Sequence, residues 1–135
     1  MPGINVVLRA EQSDGAVSMV DNIVPAGTKG PFLHEHDFDE AFYVLEGELT
    51  FHLDGELVTV GAGGLAFAPG GAAHTFANRG SADAHYLIVC TPGGFEREFA
   101  RRAARKEGVD PPEWALAPLP EVRRVGPQIG EDAGP

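Results

Sequence analysis

The sequence is poor in cysteine. Cys90 is the one thiol among 135 residues, which excludes an internal disulfide and any metal site built from several thiolates. Long apolar runs are missing too: none approaches the roughly 18 residues that a membrane-crossing helix needs. The start, Met1-Pro2-Gly3-Ile4-Asn5, lacks a basic stretch followed by an apolar one, so no secretory leader is expected and a cytoplasmic address is. Basic residues are scarce, 10 Lys and Arg against 20 Asp and Glu, for a net charge of −10. The whole excess lies in residues 1–96, with 3 basic and 13 acidic side chains; residues 97–135 carry 7 of each. Such a field repels phosphate backbones, so neither nucleic acid nor membrane is an expected partner. The basic cluster Arg97, Arg101, Arg102, Arg105 and Lys106 reads as the solvated face of one helix. Phosphate-binding loops, dinucleotide fingerprints and nucleophile elbows are all absent from the sequence.

Turn formers are abundant: 18 glycines and 11 prolines. They divide residues 4–91 into short apolar segments near 4–9, 16–24, 32–36, 40–46, 48–53, 56–60, 65–68, 73–78 and 84–91. Short strands at this spacing indicate an all-β sandwich or barrel. Asp54-Gly55 between Phe51-His52-Leu53 and Glu56-Leu57-Val58 predicts a hairpin with a type I′ turn. After Thr91-Pro92-Gly93-Gly94 the period changes. Phe95, Phe99 and Ala103 are spaced by four, which predicts one helix ending near Glu107 with Gly108 as its cap. Residues 1–108 are thus read as one domain. Residues 109–135, with six of the prolines, are read as an extended or partly disordered tail that Trp114 and Leu116 anchor.

Five histidines punctuate the strands: His34, His36, His52, His74 and His85. Residues two apart on a strand face one side, so His34 and His36 can converge on one point. Glu40 opens the next apolar segment, and His74 follows a proline–glycine turn; both can reach that side. Three neutral imidazoles and a carboxylate suit a borderline divalent ion, one of Fe, Mn, Ni, Co, Cu or Zn. The His-x-His pair by itself is equally compatible with two surface histidines. His52 is out of phase with Phe51 and Leu53 and is placed on the outer face. His85 can fall on either side, Tyr43 is expected to point away from the site, and Cys90 reads as a small buried residue.

Two motifs resemble those of the cupin superfamily. His34-Glu35-His36-Asp37-Phe38-Asp39-Glu40, six residues and Gly47 resemble the first. Thr28 stands where that motif has its leading glycine, flanked by Gly27 and Gly30. Gly63, five residues, Pro69-Gly70-Gly71, two residues, His74, three residues and Asn78 resemble the second throughout. The Pro92-Gly93-Gly94-Phe95 segment and its helix look like small single-domain cupins of the quercetin-dioxygenase-like kind. The resemblance implies a double-stranded β-helix (a jelly-roll barrel of two sheets), a homodimer, and one divalent transition metal inside the barrel. It implies His34, His36, Glu40 and His74 as ligands, with Glu40 also catalytic. Phe42, Val44, Phe51, Phe67 and Phe76 are expected to line an apolar substrate pocket. The function expected is a metal-dependent enzyme using dioxygen on a phenolic or enolic small molecule. The alternatives are a redox-neutral isomerase, cyclase or decarboxylase, as in aromatic polyketide metabolism, and a non-catalytic small-molecule binder.

Overall fold

The computed structural model describes residues 3–130. Its strands are β1 (Ile4–Leu8), β2 (Ser18–Val24), β3 (His34–Glu35), β4 (Asp39–Glu46), β5 (Glu48–Leu53), β6 (Glu56–Gly61), β7 (Leu65–Ala68), β8 (His74–Ala77), β9 (Ala84–Thr91) and β10 (Arg123–Arg124), with α1 (Glu96–Glu107) between β9 and β10. They form two five-stranded antiparallel sheets, in the orders β1-β2-β9-β4-β7 and β10-β3-β8-β5-β6. This is a double-stranded β-helix. Among the described residues no helix is long and apolar enough to cross a membrane.

Alternation sets what each strand buries. In β9, Ala84, Tyr86, Ile88 and Cys90 point inward, and the residues between them are half-exposed. In β4 the inward set is Glu40, Phe42 and Val44, which leaves Tyr43 exposed as the sequence predicts. The two inner faces meet through aromatic rings, Phe42 on Phe51 at 5.1 Å and Phe76 on Tyr86 at 5.6 Å between centroids. Burial of large side chains of this kind stabilises by about 1.5–3 kcal/mol each.

The β5–β6 hairpin has the expected turn, with Asp54 at φ 47° and Gly55 at φ 88°. Gly108 ends α1 in the left-handed region at φ 70°. Gly30, two residues after Thr28, makes a close backbone approach: a Cβ on it would lie 1.5 Å from the Phe76 carbonyl oxygen. Asn78 at the second motif's end is fully buried. Its amide donates to the Val24 and Ala82 carbonyls, both at 2.9 Å, and its carbonyl accepts from Gly80 N–H at 3.0 Å.

The tail up to residue 130 lies on the barrel. Arg101 of α1 donates to the carbonyls of Ala115 and Ala117, at 2.6 and 2.8 Å. Ala115 is buried, whereas Leu116 is 60% exposed and does not serve as an anchor. Beyond it, β10 pairs with β3, Arg123 opposite Glu35 and Arg124 opposite His34. Arg123 also bonds the carboxylates of Glu35, Asp37 and Glu121, each at 3.2 Å. A strand of two residues leaves no periodic signal, so the sequence shows only extended chain here. Residues 131–135 of the predicted tail lie outside the described residues.

Candidate metal centre

The two sheets supply different donors to one point. The pleat of β3 carries His34 and, just beyond it, His36; β8 carries His74 directly opposite His34 in register. From the facing sheet β4 contributes Glu40. One ligand atom from each of these four residues lies within 4.8 Å of all the others. His36, Glu40 and His74 are each at most 2% exposed, and His34 is half-buried at the open side.

Backbone carbonyls decide which imidazole nitrogen faces the centre. The Nδ1 of His34 bonds Phe32 O at 2.7 Å, that of His36 bonds Phe38 O and that of His74 bonds Ala72 O, the latter two at 2.9 Å. A carbonyl only accepts, so each Nδ1 carries the proton. Each Nε2 of the neutral ring then keeps its lone pair for the centre, the arrangement by which a carbonyl orients a ligating histidine. Phe38 stacks on the His36 ring at 3.6 Å and fixes its plane.

Glu40 Oε1 lies 2.9 Å from His74 Nε2 and is in close contact with His36 Nε2. Burial raises the carboxyl pKa, but those two hydrogen bonds outweigh it, and the pKa falls below the usual 4.5. His74 loses basicity through burial and regains more from Glu40, so its pKa lies above 6.5. Burial, reinforced by the neighbouring His74, holds His34 below 6.5. Two Nε2 atoms converging on one carboxylate oxygen require two extra protons, or one cation among them. Ligand bonds of about 2.0–2.2 Å put neighbouring donors about 3–4 Å apart, which the cluster's compactness satisfies. The His/Glu cluster can therefore hold a metal ion.

A cavity of about 470 Å³ opens on this cluster through His34, Glu40 and His74. Phe42 and Phe76 line it, joined by Phe95 and Phe99 from the start of α1 and by Tyr86 and Ile88 from β9. Phe67 does not. It is 51% exposed because β7 turns Ala66 and Ala68 inward and Leu65 and Phe67 outward. Val44 and Phe51 are buried in the core beside Phe42 and do not belong to the cavity wall. His52 is half-buried on β5 and lies outside the cluster, as does His85, which bonds Asp21 across β2 and β9. A second, larger hollow of about 810 Å³ between β2, the 25–31 loop and α1 touches none of the four donors.

Several wall residues were beyond sequence reasoning: Arg102 on α1, and Leu119, Pro120, Val122 and Arg124 of the tail. The pairing of β10 with β3 and the bonds of Arg101 to the Ala115 and Ala117 carbonyls bring the tail here.

The cupin domain model matches residues 20–90. Among curated proteins, the chain is similar to an oxalate-binding protein of Thermotoga maritima, 37% identical over 65 residues, 48% of this chain and 53% of that protein. It is also similar to an endoribonuclease YbeY of Myxococcus xanthus, 31% identical over 100 residues, 74% of this chain and 33% of that protein. The chain thus spans about half of the first relative and a third of the second. Among solved structures, a Thermotoga maritima protein described as a predicted oxalate decarboxylase superimposes with a TM-score of 0.61 at 28% identity, covering 66% of this chain and 78% of that one.

Proposed function

The chain belongs to the cupin family, and on that premise we propose that it is a metal-dependent enzyme that uses dioxygen on a phenolic or enolic small molecule. The observation that carries this reading is the compact set of three imidazoles and one carboxylate at the floor of an apolar cavity. His34, His36, His74 and Glu40 would hold a divalent transition ion, which would supply Lewis acidity when bound.

The chain's own residues do the rest. Phe42, Phe76, Phe95 and Phe99 exclude water and select a flat or aliphatic substrate. Glu40 is the only carboxylate of the cluster, and its lowered pKa keeps it charged. It is the group that takes the hydroxyl proton of the substrate, leaving an electron-rich enolate for oxygen to attack. On β9, beside β4 in the same sheet, Tyr86 Oη accepts a hydrogen bond from Asn22 Nδ2 at 3.1 Å, which frees its own O–H to donate. Burial raises the Tyr86 pKa far above its usual 10, so that proton stays in place.

The similarity in sequence and in structure to Thermotoga maritima matches whose names refer to oxalate favours a second reading, redox-neutral cleavage or isomerisation of a small acid. Elemental analysis of protein purified without added metal, followed by oxygen uptake with phenolic substrates, separates the two. Redox-active iron, nickel or manganese with oxygen consumption supports the first. Turnover that is unchanged under anaerobic conditions, or stoichiometric zinc with activity, supports the second. Protein that retains no ion from any divalent metal removes both.

A further inference from the structure

The cavity mouth carries two guanidinium groups, and their circumstances differ. Arg102 Nε donates to Glu98 Oε2 at 2.9 Å, and both residues line the cavity, so this charge is already neutralised. Arg124 has no acidic partner among the described residues. Its guanidinium carbon instead lies over the Phe32 ring, 3.5 Å from the centroid, and Phe32 is another wall residue. Stacking of this kind fixes the plane of the fork while leaving its N–H edge free. The register places Arg124 directly opposite His34, and opposed residues on paired strands stand about 4.5–5.5 Å apart at Cβ. The charged lining is balanced, Arg102 and Arg124 against Glu40 and Glu98; with Glu98 bonded to Arg102 and Glu40 at the floor, Arg124 is the cation left at the mouth. An anion that enters the cavity meets this guanidinium edge beside His34.

We propose that Arg124 is the specificity-determining residue of this cavity, and that it selects an apolar or aromatic monocarboxylate by holding the carboxylate beside His34. The proposal deepens the reading of the cavity as a substrate site and rests on it. The planar fork matches a carboxylate in a two-point contact that a neutral ligand cannot make, and the phenyl-lined wall takes the hydrophobic remainder. Arg124 lies outside residues 20–90, the stretch the family model matches. The tail therefore adds its own selectivity to the barrel.

Binding tests this without turnover. Benzoate and the neutral benzamide are titrated by calorimetry into wild type, Arg124→Gln, Arg124→Lys and the charge-matched control Arg79→Gln. Each protein is examined with zinc and metal-free, and its thermal midpoint and zinc content are recorded. The expected result is saturable benzoate binding to wild type, weakened about tenfold or more in Arg124→Gln, as loss of a hydrogen bond to a charged group implies. Arg124→Lys recovers part of it, Arg79→Gln matches wild type, and benzamide responds to none of the changes. Benzoate binding to Arg124→Gln within twofold of wild type overturns the proposal, as does the absence of saturable binding to wild type in either form. A wild type that retains no ion from any divalent metal, yet whose metal-free form shows the Arg124 dependence, refutes the metal reading and leaves this one standing.

Discussion

His74 Nε2 lies 2.9 Å from Glu40 Oε1, a contact between residues 34 positions apart that joins one sheet to the other. Three donors of the cluster come from the β3–β8 side and one from β4. A metal ion there is also a cross-link between the halves of the barrel. Its binding must couple to the stability of the whole fold, since the unfolded chain has no such site.

Removing one donor should therefore be far more costly than removing a histidine elsewhere. His74→Ala is expected to weaken metal binding by more than about a hundredfold, beyond the usual loss for a group that only supports a ligand. His52→Ala leaves metal content unchanged, because His52 lies outside the cluster. Metal analysis after gel filtration reads both. Stoichiometric metal in the His74→Ala protein contradicts the donor assignment.

Much of this architecture was legible in the sequence, because the signals are local. Turn glycines mark the strand ends, alternation in β4 and β9 marks the buried faces, and the spacing of two histidines on one pleat marks the site. Phe67 was misplaced because β7 is an apolar run of four residues. With no polar residue to mark the outer face, its phase cannot be read. Arg124 was missed for a different reason. Its place depends on a two-residue strand pairing across 88 positions, as the contact of Arg123 with Glu35 measures, and no local pattern encodes that.

The stabilisation that a metal confers should grow with pH. In the metal-free protein His74 has a raised pKa, so its contribution to stability is present below 6.5 and is lost as pH rises through the folded value. His34 has a lowered pKa, so it disfavours the fold as pH drops from 6.5 through its folded value. Glu40 contributes above 4.5 and fails only as pH falls through its lowered value. Ligation requires every Nε2 to be free of its proton, so protons compete with the ion throughout the histidine range. The difference in thermal midpoint with and without zinc should increase between about pH 6 and 8. A difference that shrinks over that interval would rule out ligation through Nε2.

Asn78→Ala should destabilise the fold without touching the cluster. The side chain satisfies the Val24 and Ala82 carbonyls and the Gly80 N–H in a fully buried setting. Deleting it leaves those groups without partners and opens a small void. The expected loss is about 3 kcal/mol, a fall of about 10 °C in thermal midpoint for a chain of this size. Asn78→Asp should also be destabilised, since a carboxylate cannot donate to either carbonyl. Wild-type melting of the alanine variant would show that water replaces the amide without loss.

The last prediction concerns the tail as a wall of the cavity. One guanidinium, Arg101, satisfies the carbonyls of both Ala115 and Ala117, and Arg97 adds a bond to the Pro118 carbonyl at 3.1 Å. Leu119, Pro120 and Val122 follow at once as wall residues, so their position depends on this clamp. Arg101→Ala should cost about 1–3 kcal/mol and speed proteolytic cleavage between Gly108 and Val122, because cleavage follows local opening when that opening is fast. Metal content should stay at the wild-type level, since among the described residues no donor comes from the tail. Arg101→Lys presents a point charge where the fork bridged two carbonyls, and should fall between the two. Mass spectrometry of the early fragments reads the result, and a cleavage pattern in Arg101→Ala identical to wild type would mean that the tail is held by the pairing of β10 with β3 alone.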